Sequence, residues 1–230
     1  MLIKFGKKEH MESLMKGTVY MNSMEFFKAY EDCNNIGDQE EGVQKILQPD
    51  HTKITIGPVE FEKDGKLIKI PERTLSKENG LINLKINLDI SNINLFCLYK
   101  ISLEKICKDN LIFHLPQEIK DDENYTHCVI FNDPQKFVEK LNYSAKNKSN
   151  DFQAKVIEYV DKDSYHGEVG IFKKFKKYEH QNEYRIALVP DQQYRGSNNE
   201  FVLEIGDLSD IALLMETSQL EDSLEISYSE

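Results

Sequence analysis

The chain contains no apolar run long enough to cross a bilayer, and Met1 to Lys8 lack the apolar stretch of a signal peptide. Both absences predict a soluble, cytoplasmic protein with no membrane partner. No Cys-x-x-Cys pair occurs. None of Cys33, Cys97, Cys107 and Cys128 stands at zinc-finger spacing from a histidine, although His127 directly precedes Cys128. Four reduced, unpaired thiols are therefore expected in a reducing compartment. The motifs GxSxG, GxGxxG and HExxH and the P-loop are all missing, which removes the commonest signatures of hydrolases, dinucleotide folds, zinc proteases and nucleoside triphosphatases. There is no internal repeat and no low-complexity linker, so residues 1–230 read as a single domain.

The composition supports a real core, with 40% hydrophobic residues, and a well-solvated surface, with 30% charged residues. A net charge of -11 repels bulk nucleic acid and anionic membrane. One local exception is Lys173-Lys174-Phe175-Lys176-Lys177-Tyr178, where aromatics interleave a lysine run. The default reading of a short lysine run of this kind is a solvated strand edge or loop; its interleaved aromatics make a phosphate or nucleotide contact the lesser alternative.

The order of elements points to an α+β protein with mainly antiparallel sheets, split and sandwich-like, and a few short helices. Leu2 to Phe5 is a strand, and Lys8 to Lys16 a helix stopped by Gly17. Thr18 to Met21 is a strand, and Asn22 or Ser23 can cap a second helix. From Thr52 the hydrophobic period becomes two. Val59 to Phe61 and Leu67 to Ile70 flank Asp64-Gly65, a strong hairpin signal, and a further strand is expected over Leu81 to Leu88. The denser apolar run Leu95 to Tyr99 predicts a central strand. Asp133 caps a helix beginning at Pro134. Strands are expected at Ala154 to Val160, Tyr184 to Val189, Phe201 to Ile205 and Leu224 to Tyr228, with a short helix near Leu208 to Met215. Loops are expected over Asp109 to Tyr125, Asn142 to Asp151 and Gln192 to Asn199.

Two acidic clusters carry candidate chemistry. In Gly37-Asp38-Gln39-Glu40-Glu41-Gly42 the flanking glycines allow a tight bend, so Asp38 and Glu41 can face one cleft and hold a metal or a ribose hydroxyl. In Tyr178-Glu179-His180-Gln181-Asn182-Glu183-Tyr184-Arg185-Ile186, strand geometry would set Glu179, Gln181, Glu183 and Arg185 on one face. That face is either a cross-strand ion-pair ladder or a pocket wall in which Glu183 orients a substrate and Arg185 fixes it. Asp38, Glu41, Glu183 and Arg185 are expected to share a cleft, where Arg185 or a metal offsets the like charges.

These regions resemble a bacterial domain-of-unknown-function family, number twenty-nine seventy-one, met in mobile-element and phage-defence settings. Val19-Tyr20-Met21-Asn22-Ser23 stands for its early segment and Gly37-Asp38-Gln39-Glu40-Glu41 for its acidic motif. Lys174, Tyr178-Glu179 and Gln181-Asn182-Glu183-Tyr184-Arg185-Ile186 stand for its late lysine and its aromatic, acid and arginine string. Gly37, Gln39 and Gln181 depart from the family's Asn, Pro and Glu, and the segment 52–100 has no counterpart. A weaker similarity is to ADP-ribosyltransferases, which also open with a strand and a glycine-ended helix, as in Glu12 to Gly17. Their late Gln-x-Glu, whose final Glu holds the nicotinamide ribose, matches Gln181-Asn182-Glu183. Lys4 and Phe5 occupy the first strand where those enzymes carry Arg or His, and Tyr99 stands for their middle motif. This similarity implies NAD as cofactor and Glu183, Gln181 and Tyr99 as catalytic residues. Asp38, Glu41, Arg185 and Lys174 are the candidate substrate contacts on the reading of the residues themselves.

Three functions compete on these residues. An NAD-using transferase or hydrolase, acting as a toxin or defence effector, would use Glu183 to stabilise an oxocarbenium-like transition state. A metal-dependent nuclease would hold Mg²⁺ with Asp38, Glu41 and Glu183, with Lys174 on the phosphate, against the sense of the net charge. A non-enzymatic module in phage–host conflict would use the acidic rows for recognition.

Overall fold

The computed structural model describes residues 1–29, 42–87, 89–101 and 113–224. Cys33, Asp38, Glu41 and Cys107 lie outside these residues, as does the strand expected beyond Leu224. The architecture is α+β and mostly antiparallel, as the element order predicts. An eight-stranded sheet organises it. Its strands are β1 (Leu2–Gly6), β2 (Thr18–Ser23), β3 (Asn94–Lys100), β4 (His127–Phe131), β5 (Ser149–Val156), β6 (Glu183–Pro190), β7 (Phe201–Glu204) and β8 (Ala212–Glu216). The path runs β5-β6-β3-β1-β4-β8, and β2 with its neighbour β7 branches from β3.

The sheet is forked at β3. One edge of β3 pairs with β6 from Glu183 opposite Tyr99 to Leu188 opposite Asn94. The other edge is shared: β1 takes one end, with Leu2 opposite Lys100 and Ile3 opposite Tyr99, and β2 takes the other, with Asn22 opposite Leu95 and Ser23 opposite Asn94. The backbone between these ends needs other partners, because an unpaired buried carbonyl is costly. Lys4 supplies one: its Nζ donates to the Cys97 carbonyl at 2.9 Å.

The two faces of the sheet pack differently. Phe96, Leu98, Val129, Phe131, Ile186 and Leu188 lie on one face and bury Phe137 and Leu141 of the helix Pro134–Ala145. Asp133 caps that helix by accepting from the Lys136 amide at 3.0 Å. Pro134 sits where its missing N–H costs nothing. Ile3, Phe5, Cys128 and Ile130 lie on the opposite face, under Leu115, Ile119 and Leu220. Ser23 caps the helix Met24–Ala29 through the Phe26 amide, and Gly17 ends the helix Lys8–Met15 at φ +99°. Cys97 and Cys128 are free thiols.

Residues 54–75 form a ribbon apart from this sheet. Ile54–Ile56 pairs with Arg73–Leu75, and Val59–Lys63 pairs with Lys66–Ile70. Asp64 and Gly65 both adopt positive φ at its tip, the conformation a two-residue hairpin turn requires.

Several local expectations are corrected. Ala212–Glu216 is strand, not helix: residues 208–211 make a turn, and Ala212 to Glu216 then pairs with β4 along its length. Ladder hydrogen bonds and burial of Ala212 outweigh local helical preference there. The segment 142–151 is divided between the end of the helix Pro134–Ala145 and the start of β5, so little of it is loop. The late strand expected over Tyr184 to Val189 is present as Glu183–Pro190, but the polar string before it is not strand. Lys176–Gln181 is a 3-10 helix, which takes Glu179 off the strand face and out to solvent.

Candidate functional site

The turn into β6 builds the site. The 3-10 helix Lys176–Gln181 ends at Asn182, which adopts the left-handed conformation at φ 39°. Such a residue reverses the chain at once, and Asn is among the few side chains that tolerate it. Its place is locked from both sides of its peptide. The Lys100 amide donates to the Asn182 carbonyl at 2.8 Å, and the Asn182 side-chain amide donates to the Lys100 carbonyl. The Glu183 amide donates to the Tyr159 hydroxyl at 2.9 Å. The reversal brings Gln181 and Glu183 to the same side, facing Tyr99 across β3.

Glu183, Arg185 and Lys174 then form a buried charge cluster, with relative exposures of 4%, 1% and 5%. Arg185 Nε donates to Glu183 Oε1 at 2.6 Å, and its Nη2 reaches Oε2 at 3.3 Å. Lys174 Nζ lies 2.8 Å from Glu183 Oε2 and donates to Gln181 Oε1 at 2.8 Å. Arg185 Nη1 also donates to the Ile171 carbonyl at 2.7 Å. Burial by itself would push the Glu183 carboxyl up, but Arg185 and Lys174 together hold it well below the usual carboxylate range. Glu183 is thus an ionised carboxylate aimed by two cations. Charges this deep persist only when paired, because desolvation costs several kcal/mol, on the order of the attraction itself.

A cavity of about 120 Å³ opens beside this cluster. Ile3, Lys4 and Phe5 of β1 and Cys97 and Tyr99 of β3 line one side, and Lys174, His180, Gln181, Glu183 and Arg185 the other. Phe27, Ile119 and Tyr125 add apolar and aromatic surface, and Glu118 stands at an exposed position. Phe5 meets Tyr99 edge-on at 5.9 Å and Tyr125 at 5.7 Å. Burial lowers the Lys4 amine from its ordinary value, opposed by Cys97 and Glu183, so the amine loses its proton more readily than a surface lysine. Its Nζ also sits 4.7 Å from the Phe96 ring centre. Burial pushes the Cys97 thiol up to about 12, with Glu183 adding to the shift, which keeps that thiol neutral and inert. Tyr99 and Tyr125 are likewise raised by burial and stay protonated.

Five of the residues singled out from the sequence meet in this place: Lys174, Gln181, Glu183, Arg185 and Tyr99 all line the cavity. The lysine run departs from expectation, since Lys174 is buried against Glu183 while Lys176 and Lys177 are exposed. Glu183 and Arg185 form neither an exposed face nor a cross-strand ladder; they pair along one strand, two residues apart, inside the protein. The shared cleft with Asp38 and Glu41 concerns residues outside those described. Among the described residues, no group of three or more His, Cys, Asp and Glu is placed to hold a metal ion. Sequence reasoning missed Lys4, His180 and Tyr125 as cavity residues. A lysine inside the apolar strand Leu2-Ile3-Lys4-Phe5 was a usable signal; Tyr125 had none.

No family model matches the chain, nor does any curated protein or solved structure. Among the described residues, no helix is long and apolar enough to cross a membrane.

Proposed function

We propose that the protein is an NAD-using enzyme of the ADP-ribosyl-transferring kind, a transferase or hydrolase acting as a toxin or defence effector. The observation that carries this reading is the convergence of Gln181, Glu183, Tyr99 and Lys4 on one cavity, although they come from three strands and the turn before β6. Breaking the bond from nicotinamide to ribose develops positive charge at C1′, and a fixed, ionised carboxylate lowers the energy of that state. Glu183 meets the requirement, because its two cationic neighbours keep it ionised and aimed. Gln181 orients the acceptor, Lys4 takes the place of the first-strand cation, and Tyr99 offers an aromatic face. The cavity is small beside the ~300 Å³ or more of a site for a drug-sized ligand. It therefore takes the reacting end of the dinucleotide and leaves the remainder outside.

A non-enzymatic binding module is a second reading. It is favoured by the ribbon 54–75, which exposes Val59, Phe61, Leu67 and Ile70. The nuclease reading draws its metal ligands from Asp38 and Glu41 as well as Glu183, and Glu183 already binds two cations.

The test is nicotinamide release from NAD by the purified protein, with ADP-ribose binding followed by thermal shift. Gln181→Ala and Tyr99→Leu leave the Glu183–Arg185 pair intact. Each is expected to lower turnover by about 10-fold or more, and Glu183→Gln by ~10²-fold or more. A wild-type protein that neither releases nicotinamide nor binds ADP-ribose overturns the reading.

A further inference from the structure

Lys4 and Lys174 line the same cavity but are held in opposite ways. Lys174 Nζ lies 2.8 Å from a Glu183 oxygen, and that carboxylate balances its charge. Among the described residues no carboxylate pairs with the Lys4 amine. Its hydrogen bond goes instead to an uncharged group, the Cys97 carbonyl, at 2.9 Å. A lysine enclosed in this way is rare without an ion pair, because the ammonium gives up its hydration. Burial accordingly lowers the Lys4 amine from its ordinary value, against the opposing effects of Cys97 and Glu183. A neutral amine has two N–H groups and a lone pair. One N–H satisfies the Cys97 carbonyl, and the lone pair is left to meet a ligand. Both residues of this hydrogen bond line the cavity. Lys4 also keeps some accessible surface, unlike Glu183, Arg185 and Lys174. Phe5, Tyr99 and Tyr125 give the cavity an apolar, aromatic side, where desolvation makes a lysine nucleophilic.

We propose that Lys4 is a reactive amine that captures small aldehydes as imines in this cavity. The nitrogen lone pair forms a bond to the carbonyl carbon, and the carbonyl π pair moves to oxygen. That oxygen takes both amine protons and leaves as water, and a C=N bond joins Lys4 to the ligand. One amine and one aldehyde thus become one imine and one water, with no oxidant, reductant or further reactant. A proton from solvent on the imine nitrogen restores an N–H toward the Cys97 carbonyl. The Tyr125 hydroxyl, which stays protonated, can donate to the aldehyde oxygen while charge develops on it. A cavity of about 120 Å³ suits a short-chain aldehyde. The proposal stands apart from the NAD reading, which uses the cationic form of the same side chain.

The experiment treats native protein near neutral pH with glycolaldehyde and cyanoborohydride, which reduces an imine to a stable amine, and maps the adducts by tandem mass spectrometry. Fragmentation separates Lys4 from the nearby Met1 amine. Lys4 is expected to be labelled roughly 10-fold faster than Lys8, because a surface ammonium has no lone pair to offer; the Lys8 side chain is 64% exposed. In urea the two should react alike. As pH rises, labelling of Lys4 should level off before that of Lys8. Equal or slower labelling of Lys4 in the native protein overturns the proposal. So does an advantage that survives in urea, because the fold would then not be its cause, and so do parallel pH profiles. Lys4→Arg keeps a donor for the Cys97 carbonyl and should lose the fast-reacting fraction of the adduct. A fast fraction that persists in Lys4→Arg places the reactive amine elsewhere and overturns the assignment. The labelling of wild type does not depend on that variant folding.

Discussion

The start of β6 and the ribbon 54–75 invert the usual relation between polarity and burial. Glu183, Arg185 and Lys174 are at most 5% exposed. In the ribbon, Val59 is 41% exposed, Phe61 42% and Leu67 60%. Both segments have strands with clear patterns, so strand propensity does not separate them. Position does. β6 lies between β5 and β3 inside the large sheet, with layers on both faces, whereas each ladder of the ribbon is a pair of strands with no third strand beside it among the described residues. Charges enter the first environment only as a closed set of partners. Glu60 and Lys69 show the other limit: their oxygen and nitrogen are 2.6 Å apart, yet both side chains are more than half exposed. A pair of that kind contributes little, ~1 kcal/mol at most, because water screens it. The same two chemical groups are thus decisive in one place and marginal in the other.

Removing one carboxylate from each region puts that contrast to its sharpest test. Glu183→Gln leaves Arg185 and Lys174 without their shared carboxylate and is expected to cost ~3–5 kcal/mol at pH 7, measured by urea unfolding. Glu60→Gln is expected to cost under ~1 kcal/mol. The first deficit should depend on pH. The folded pKa of Glu183 lies below its ordinary 4.5, so its stabilisation is fully present above that value and is lost as pH falls through the folded pKa. The gap between wild type and Glu183→Gln should therefore narrow as pH falls below 4.5. A gap independent of acid would mean that the lost stability is steric rather than ionic. Next in size is Gly65→Ala at the ribbon tip, where φ is +69° and a side chain has room but strains the backbone. It should cost about 1 kcal/mol, read as faster hydrogen exchange across Val59–Ile70 with the sheet amides unaffected. The smallest effect is expected from Phe61→Ser, within about 0.5 kcal/mol of wild type in thermal unfolding. A large loss there would show that the exposed apolar side of the ribbon is covered in solution.

Elements governed by neighbouring residues were legible in the chain itself. The Asp64-Gly65 hairpin, the glycine stop at Gly17, the Asp133 cap before Pro134 and the central strand through Leu95 to Tyr99 all depend on short-range geometry and appear as expected. Of the candidate site, Glu183, Gln181, Arg185, Lys174 and Tyr99 were found from one dense polar string, a lysine run and one apolar strand. Ala212–Glu216 was misread because its strand character comes from pairing with His127–Phe131, some eighty residues earlier.

The sequence by itself determined the local alphabet: which stretches alternate, where turns and caps fall, and which residue types are rich enough in charge to do chemistry. Only the tertiary structure decided which of these are inside. The β3 fork needs a donor, and Lys4 supplies it from β1, more than ninety residues away in the chain. The left-handed Asn182 is held by Lys100, which brings Gln181, Glu183 and His180 to the lining of one cavity. Burial is a property of layers stacked from distant segments, and hydrophobic periodicity carries no information on which layer covers a face. That is why a polar row that reads equally as an ion-pair ladder or a pocket wall became the buried floor of a cavity, while an apolar ribbon was left in water.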